Sequence, residues 1–196
     1  MSLQTWGECL IAQKVDSPLQ TTFTTAKSVF GVDGTDASAA CKFTVPANFF
    51  VPGKTLEINM RGDISNIVTT PGTITFQVMV GAVIAFTSGA VQLSTTAHTT
   101  LPFWLDIDLT CQVEGGGTQA KLMGQGKMIS QTIVNTNVAD SVANTLPTLL
   151  LPNTTPAQGT GFDSTAAQKI DIFAGFSVYN AGNGVRSRQY RLIAWN

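Results

Sequence analysis

From Phe103 the chain reads FWLDIDLTCQV, which puts Phe103, Leu105, Ile107, Leu109, Cys111 and Val113 on one face of an extended strand and Trp104, Asp106, Asp108, Thr110 and Gln112 on the other. A helix would scatter the same residues around its circumference, so period two commits this segment to a half-buried strand. The pattern recurs in KTLEINMRGDI (Leu56, Ile58, Met60, Ile64), in TITFQVMV (Ile74, Phe76, Val78, Val80) and in QKIDIFAGFSV (Ile170, Ile172, Ala174, Phe176, Val178). The closing VRSRQYRLIAW is a further strand-length run rich in β-branched and aromatic residues. Turn signals separate these runs: VPGK at Val51, TTPGT at Thr69, EGGGT at Glu114 and YNAGNGV at Tyr179. Weaker strands are expected at Leu10 to Val15, Thr21 to Phe30, Cys41 to Val45, Ala82 to Thr87 and Ala120 to Ile129. Eight to ten strands at this spacing, with no convincing helix, predict an all-β chain folded as an antiparallel β-sandwich.

Composition narrows the partners. The 196 residues carry 11 Lys and Arg, 12 Asp and Glu and one His, a net charge of -1, and only 12% are charged. That is half the usual charged fraction of about a quarter, without the basic excess that phosphate backbones or membrane surfaces require, so neither nucleic acid nor membrane is an expected partner. With 43% apolar residues the chain can bury a sizeable core. The expected organisation is an N-terminal extension or arm at 1–16 and one sandwich domain at 17–196. Glu8 and Gln13 interrupt any apolar leader, and no apolar run approaches the roughly 20 residues of a spanning helix. Cys9, Cys41 and Cys111 are odd in number and widely spaced, which fits reduced thiols buried as small core residues in a cytoplasm.

One region breaks the alternation. From about Val134 to Ala167 the chain passes through NTN, PNTTP and GTGFDST, too long for an ordinary connection, and reads as an interaction loop. Within it Leu149, Leu150 and Leu151, between Pro147 and Pro152, form either a short strand closing the sandwich or an apolar tether to a neighbouring subunit.

Chemistry-bearing residues are sparse. His98 lies in a polar STTAHTTLP turn, and without a second His it supports neither a zinc site nor a catalytic base. Asp106 and Asp108 share a strand face about 7 Å apart by strand rise, a spacing open to two-carboxylate glycoside hydrolysis, to an oxygen-ligand metal site or, with Trp104 beside them, to a sugar platform; alternating Asp on the wet face of a strand is the plainer reading. Asp33, Gly34 and Asp36 lack the remaining ligands of a calcium loop and read as a turn. GQGK at Gly124 lacks the spacing of a phosphate loop, so its glycines mark bulges or close backbone approach. Arg61-Gly62-Asp63 spells RGD inside a predicted strand, and Asn153-Thr154-Thr155 matches a glycosylation sequon of use only in a secreted eukaryotic chain. The C-terminal Arg186, Arg188 and Arg191, with Tyr190 and Trp195, could grip phosphate or a carboxylate-bearing protein surface, or simply solvate an edge strand. No cofactor, metal or catalytic constellation is expected.

The order of TVPANFFVPGKTLEINMRGDIS, the TPGTITFQVMVGAVIAFTSGAVQL hairpin, PFWLDIDLTCQV, KLMGQGKM and GFDSTAAQKIDIFAGFSVYNAGNGVRSRQYRLI resembles jelly-roll virion structural proteins of tailed bacteriophages, from about Ser17 to the end. The resemblance implies a jelly-roll-like sandwich without enzymatic activity, most simply a capsid decoration or cement protein. Such a protein forms a homotrimer, binds the major capsid protein or another virion protein, and is assembled in the bacterial cytoplasm before residing on the capsid surface. A receptor- or carbohydrate-binding module of a head or tail fibre is the alternative. Trp6, Leu149, Leu150, Leu151, Arg186 and Arg188 are the candidate protein contacts of the first reading; Trp104, Asp106 and Asp108 are the candidate glycan contacts of the second. The longer N-terminal segment with Trp6 and Cys9 and the charged last strand depart from the simplest pattern.

Overall fold

The structure, a computed structural model, describes residues 6–134 and 147–195. Its strands are β1 (Gly7–Ala12), β2 (Gln20–Thr21), β3 (Lys27–Ser28), β4 (Phe43–Val45), β5 (Thr55–Asn66), β6 (Thr73–Val80), β7 (Val83–Thr87), β8 (Val91–Gln92), β9 (His98–Val113), β10 (Lys121–Ser130), β11 (Thr148–Leu151), β12 (Gln168–Phe176) and β13 (Gly184–Trp195). A single 3-10 turn at Ala37–Cys41 is the one helical element among the described residues.

The strands form two antiparallel sheets. One runs β1-β13-β5-β9-β10-β11, with β2 also on β13; the other runs β3-β12-β6-β7, with β4 on β12 and β8 on β6. Strands far apart in sequence pair first and last, β1 with β13 and β3 with β12, while the chain passes back and forth between sheets. That interleaving of β1-β13-β5-β9 over β3-β12-β6-β7 is the jelly-roll order. Two further strands, β10 and β11, widen the first sheet.

The period-two stripes face the space between the sheets, where Leu56, Ile58, Met60, Ile64, Ile74, Phe76, Val78, Leu105, Ile107, Leu109, Ile170 and Ile172 are buried; their expected last members leave the core, Val113 being exposed and Val178 half-buried beyond the end of β12. Aromatic contacts bridge the layers: Phe76 of β6 meets Phe103 of β9 at 5.6 Å between ring centroids, and Phe30 meets Tyr190 of β13 at 4.7 Å. The glycines of GQGK mark close approach, because a Cβ at Gly124 would enter the Phe86 ring and one at Gly126 would collide with the Asp106 carbonyl.

Several expectations need correction. The strand expected at 21–30 is broken into β2 and β3, since Thr22 turns the chain with a φ of 58°. Residues 7–12, expected within an arm, form an edge strand of the larger sheet paired to β13. His98 opens β9 opposite Asn66 and is half-buried rather than in a loop. Cys41 and Cys111 are buried as expected, but Cys9 is exposed. Of the irregular 134–167 stretch, residues 135–146 fall outside the described residues. The rest holds β11 and two isolated bridges, Met123 to Gln158 and Ala120 to Phe162. Leu149 and Leu151 turn inward and are buried, so Thr148–Leu151 is a strand that completes the sheet, with Leu150 left outside.

Candidate binding face

The outer surface of the larger sheet is built by register. On β11, β10, β9, β5 and β13 the residues Leu150, Lys127, Asp106, Asn59 and Arg191 align in one transverse row. The next row holds Gln125, Asp108, Glu57 and Ile193, and the row on the other side holds Ile129, Trp104, Arg61 and Gln189. Alternation sends all of these side chains away from the core, and a 12-residue β5 and a 16-residue β9 keep the rows in step.

The centre of this face is an open depression of about 530 Å³ lined by Glu57, Asn59, Arg61, Asp106, Asp108, Lys127, Leu150 and Arg191. Three carboxylates and three cations meet there. Arg61 Nη1 donates to Asp106 Oδ1 at 2.6 Å and Asn59 Nδ2 donates to the same oxygen at 3.1 Å. Arg191 donates to Asn59 Oδ1 at 3.2 Å, and Trp195 Nε1 donates to Glu57 Oε2 at 2.8 Å. Among the described residues Asp108 accepts no such cation bond, and it lies directly opposite Glu57 on β5. Its carboxyl is pushed up, first by desolvation among its neighbours and then by the charges of Glu57 and Asp106, which Lys127 only partly offsets.

Apolar groups rim the depression. Leu150 is 76% exposed, and Trp104 and Trp195 are also exposed. The face therefore combines large apolar side chains with one internal ion pair, Arg61–Asp106, and with Asp108 and Lys127, which no ion pair among the described residues takes up, so a partner that covers it must bring charges to meet them.

The structure brings Trp104, Asp106 and Asp108 together here with Leu150, and joins Arg191 to them. Asp106 and Asp108 lie along one strand on an open surface rather than facing one another across a cleft. Arg186 and Arg188 sit farther along β13, where a bulge between Ser187 and Gln189 lets both reach Asp63 Oδ2, at 2.8 and 2.6 Å. Arg188 also donates to Asp16 at 2.6 Å, and with the Gln13 and Ser17 bonds to Ser187 it fastens the N-terminal segment to the domain. Their charges are taken up inside the fold. Trp6 is exposed just before β1. The RGD triplet lies within β5, with Arg61 on Asp106 and Asp63 on Arg186 and Arg188, so it is not presented on a loop. Among the described residues no group of three or more His, Cys, Asp or Glu is placed to hold a metal, and no helix is long and apolar enough to cross a membrane.

Glu57, Asn59 and Lys127 were not singled out from sequence. Their signal is the outward half of the β5 and β10 alternation, which becomes a site only once register sets it beside Asp106 and Asp108.

No family model matches the chain, and no curated protein matches it. Among solved structures the chain is similar to the CBM2 module of the evolved Dit of Lactobacillus casei BL23 phage J-1, with 13% identity and a TM-score of 0.29 over 78% of this chain and 67% of that one. A likeness of that size assigns neither fold nor function, and the jelly-roll assignment rests on strand order.

Proposed function

We propose that the chain is a non-enzymatic structural protein of a tailed-phage virion, a capsid decoration or cement protein that stabilises contacts between major capsid proteins. The observation that supports this is the outer face of the larger sheet, where exposed Trp104, Trp195 and Leu150 surround a depression that holds the Arg61–Asp106 pair and further charges of both signs. Such a face suits a protein partner because the apolar groups gain from burial, while charges of both signs at Glu57, Asp108, Lys127 and Arg191 can be met by complementary groups across the contact. Assembly as a homotrimer on the capsid surface would repeat the contact by symmetry and raise avidity. The test is co-sedimentation of purified protein with capsids that lack it. Wild-type protein should bind, and Leu150→Glu should lose most of that binding while keeping its fold; equal binding by both proteins, or binding by neither, contradicts the reading.

A receptor- or carbohydrate-binding module of a head or tail fibre is the second reading, favoured by the aromatic Trp104 beside Asp106, Asp108 and Asn59 in one depression. Those groups offer a ring surface and hydrogen-bond partners for sugar hydroxyls. Glycan-array binding that disappears in Trp104→Ala, with no capsid binding, would select this reading over cement.

A further inference from the structure

Lys42 and Asp171 stand opposite one another beside the β4–β12 ladder, one step beyond the partners Phe43 and Ile170. Their side chains are only 8% and 10% exposed, yet Lys42 Nζ lies 3.7 Å from Asp171 Oδ2, outside hydrogen-bond range. Nζ donates instead to the Gly31 carbonyl at 2.7 Å and to the Asp33 carboxylate, whose other oxygen accepts from Lys169 at 2.7 Å.

The two oxygens of Asp171 have different surroundings. Oδ1 accepts from the Ser28 hydroxyl at 2.9 Å and from the Ile172 N–H at 2.7 Å, while Oδ2 faces the lysine. The Tyr190 hydroxyl, buried and without a hydrogen-bond partner among the described residues, belongs to the same interior. An amine and a carboxyl polarised by two donors thus meet nearly closed to water, with a second carboxylate, Asp33, reaching the amine from the exposed side.

We infer that Lys42 and Asp171 condense to an intramolecular amide that staples the entry of β4 to β12. The Nζ–Cγ bond forms and the Cγ–Oδ2 bond breaks. The ammonium gives up two hydrogens, relayed through the Asp33 carboxylate, and these leave on Oδ2 as one water; Asp33 ends as it began. No oxidant or added group is needed. Ser28 and the Ile172 N–H stabilise the negative charge that develops on Oδ1, in the manner of an oxyanion hole, and the fold supplies the proximity.

Burial is the main cause that raises the Asp171 carboxyl to about 6, which lets Oδ2 take the first of the two relayed ammonium protons near neutral pH and become the electrophilic acid. Asp33 is held well below the usual carboxylate range by its bonds to Lys169 and Lys42, so it stays ionised and passes a proton on rather than keeping it. This inference concerns an internal bond and is independent of what the outer sheet face binds.

Intact-mass spectrometry of the purified, folded protein tests it. The expected mass is that of the chain less one water, and peptide mapping should recover one branched peptide carrying both Lys42 and Asp171. Lys42→Arg and Asp171→Ala should each restore the full mass, and Ser28→Ala or Asp33→Asn should slow the water loss after refolding. A folded wild-type protein at full mass means that the pair is only an ion pair and overturns the inference, as does a water loss mapped to any other residues.

Discussion

The guanidinium of Arg61 lies over the indole of Trp104, 4.7 Å from the ring centroid, across the β5–β9 ladder. The same guanidinium donates to Asp106, so one side chain ties the aromatic rim of the outer face to its charged centre. Cation–π contacts at partly exposed sites contribute about 0.5–1 kcal/mol, and a hydrogen bond to a charged group somewhat more. Arg61→Ala should therefore lower stability by about 1–2 kcal/mol in urea unfolding. A double-mutant cycle with Trp104→Ala should show coupling; strictly additive effects would mean that the stacked pair contributes nothing.

Asp108 yields a pH dependence of definite sign. Its carboxyl titrates above the ordinary value of 3.8, so the folded state holds its proton more tightly than the unfolded state. Stability from this group is complete below that value and declines as pH rises through the raised one. Asp108→Asn should exceed wild type in unfolding midpoint at pH 7 by a few tenths of a kcal/mol, the scale of a relieved cross-strand repulsion. The difference should vanish below pH 3.8. A variant less stable than wild type at pH 7 would show that Asp108 is favourably paired.

Gly62 occupies the centre of β5 because there is no room for a larger residue. A Cβ there would overlap the Arg186 carbonyl oxygen of β13 and press on the Phe103 ring. Gly62→Ala should cost about 1–3 kcal/mol or more, as overpacking does in a core, in denaturant titration. An unchanged midpoint would show that β5 and β13 are more loosely joined than the register indicates.

Asp63 fastens both C-terminal arginines. Its side chain is 11% exposed and accepts from Arg186 and Arg188, so Asp63→Ala leaves two cations without their shared partner. A loss of about 2 kcal/mol or more is expected from such an uncompensated pair. Amide hydrogen exchange should rise first in residues 13–17, which the Arg188–Asp16 bond and the Ser187 contacts secure. Exchange confined to other strands would contradict this coupling.

Period two made the strands and their buried faces legible in the sequence: Leu105, Ile107 and Leu109, like Ile170 and Ile172, all point into the core. Strand pairing was less legible, because alternation states which face a residue takes and not which strand lies beside it. Asp106 and Asp108 were visible as a pair on one face, but Glu57, Asn59 and Arg61 join them only through the β5–β9 register. The arginines mislead for a related reason. Two-residue spacing suggests a free basic stripe, and the bulge at Arg188 instead turns both Arg186 and Arg188 onto Asp63. Leu149 to Leu151 remained open until β10 supplied the partner that makes them a strand.

The most direct measurement is cryo-electron microscopy of an intact particle that carries the protein. The jelly roll should lie on the capsid surface as a trimer, with Trp104, Leu150 and Trp195 of the larger sheet's outer face against the major capsid protein. A copy found with that face open to solvent, or placed at the tip of a fibre, would contradict capsid cementing through this surface.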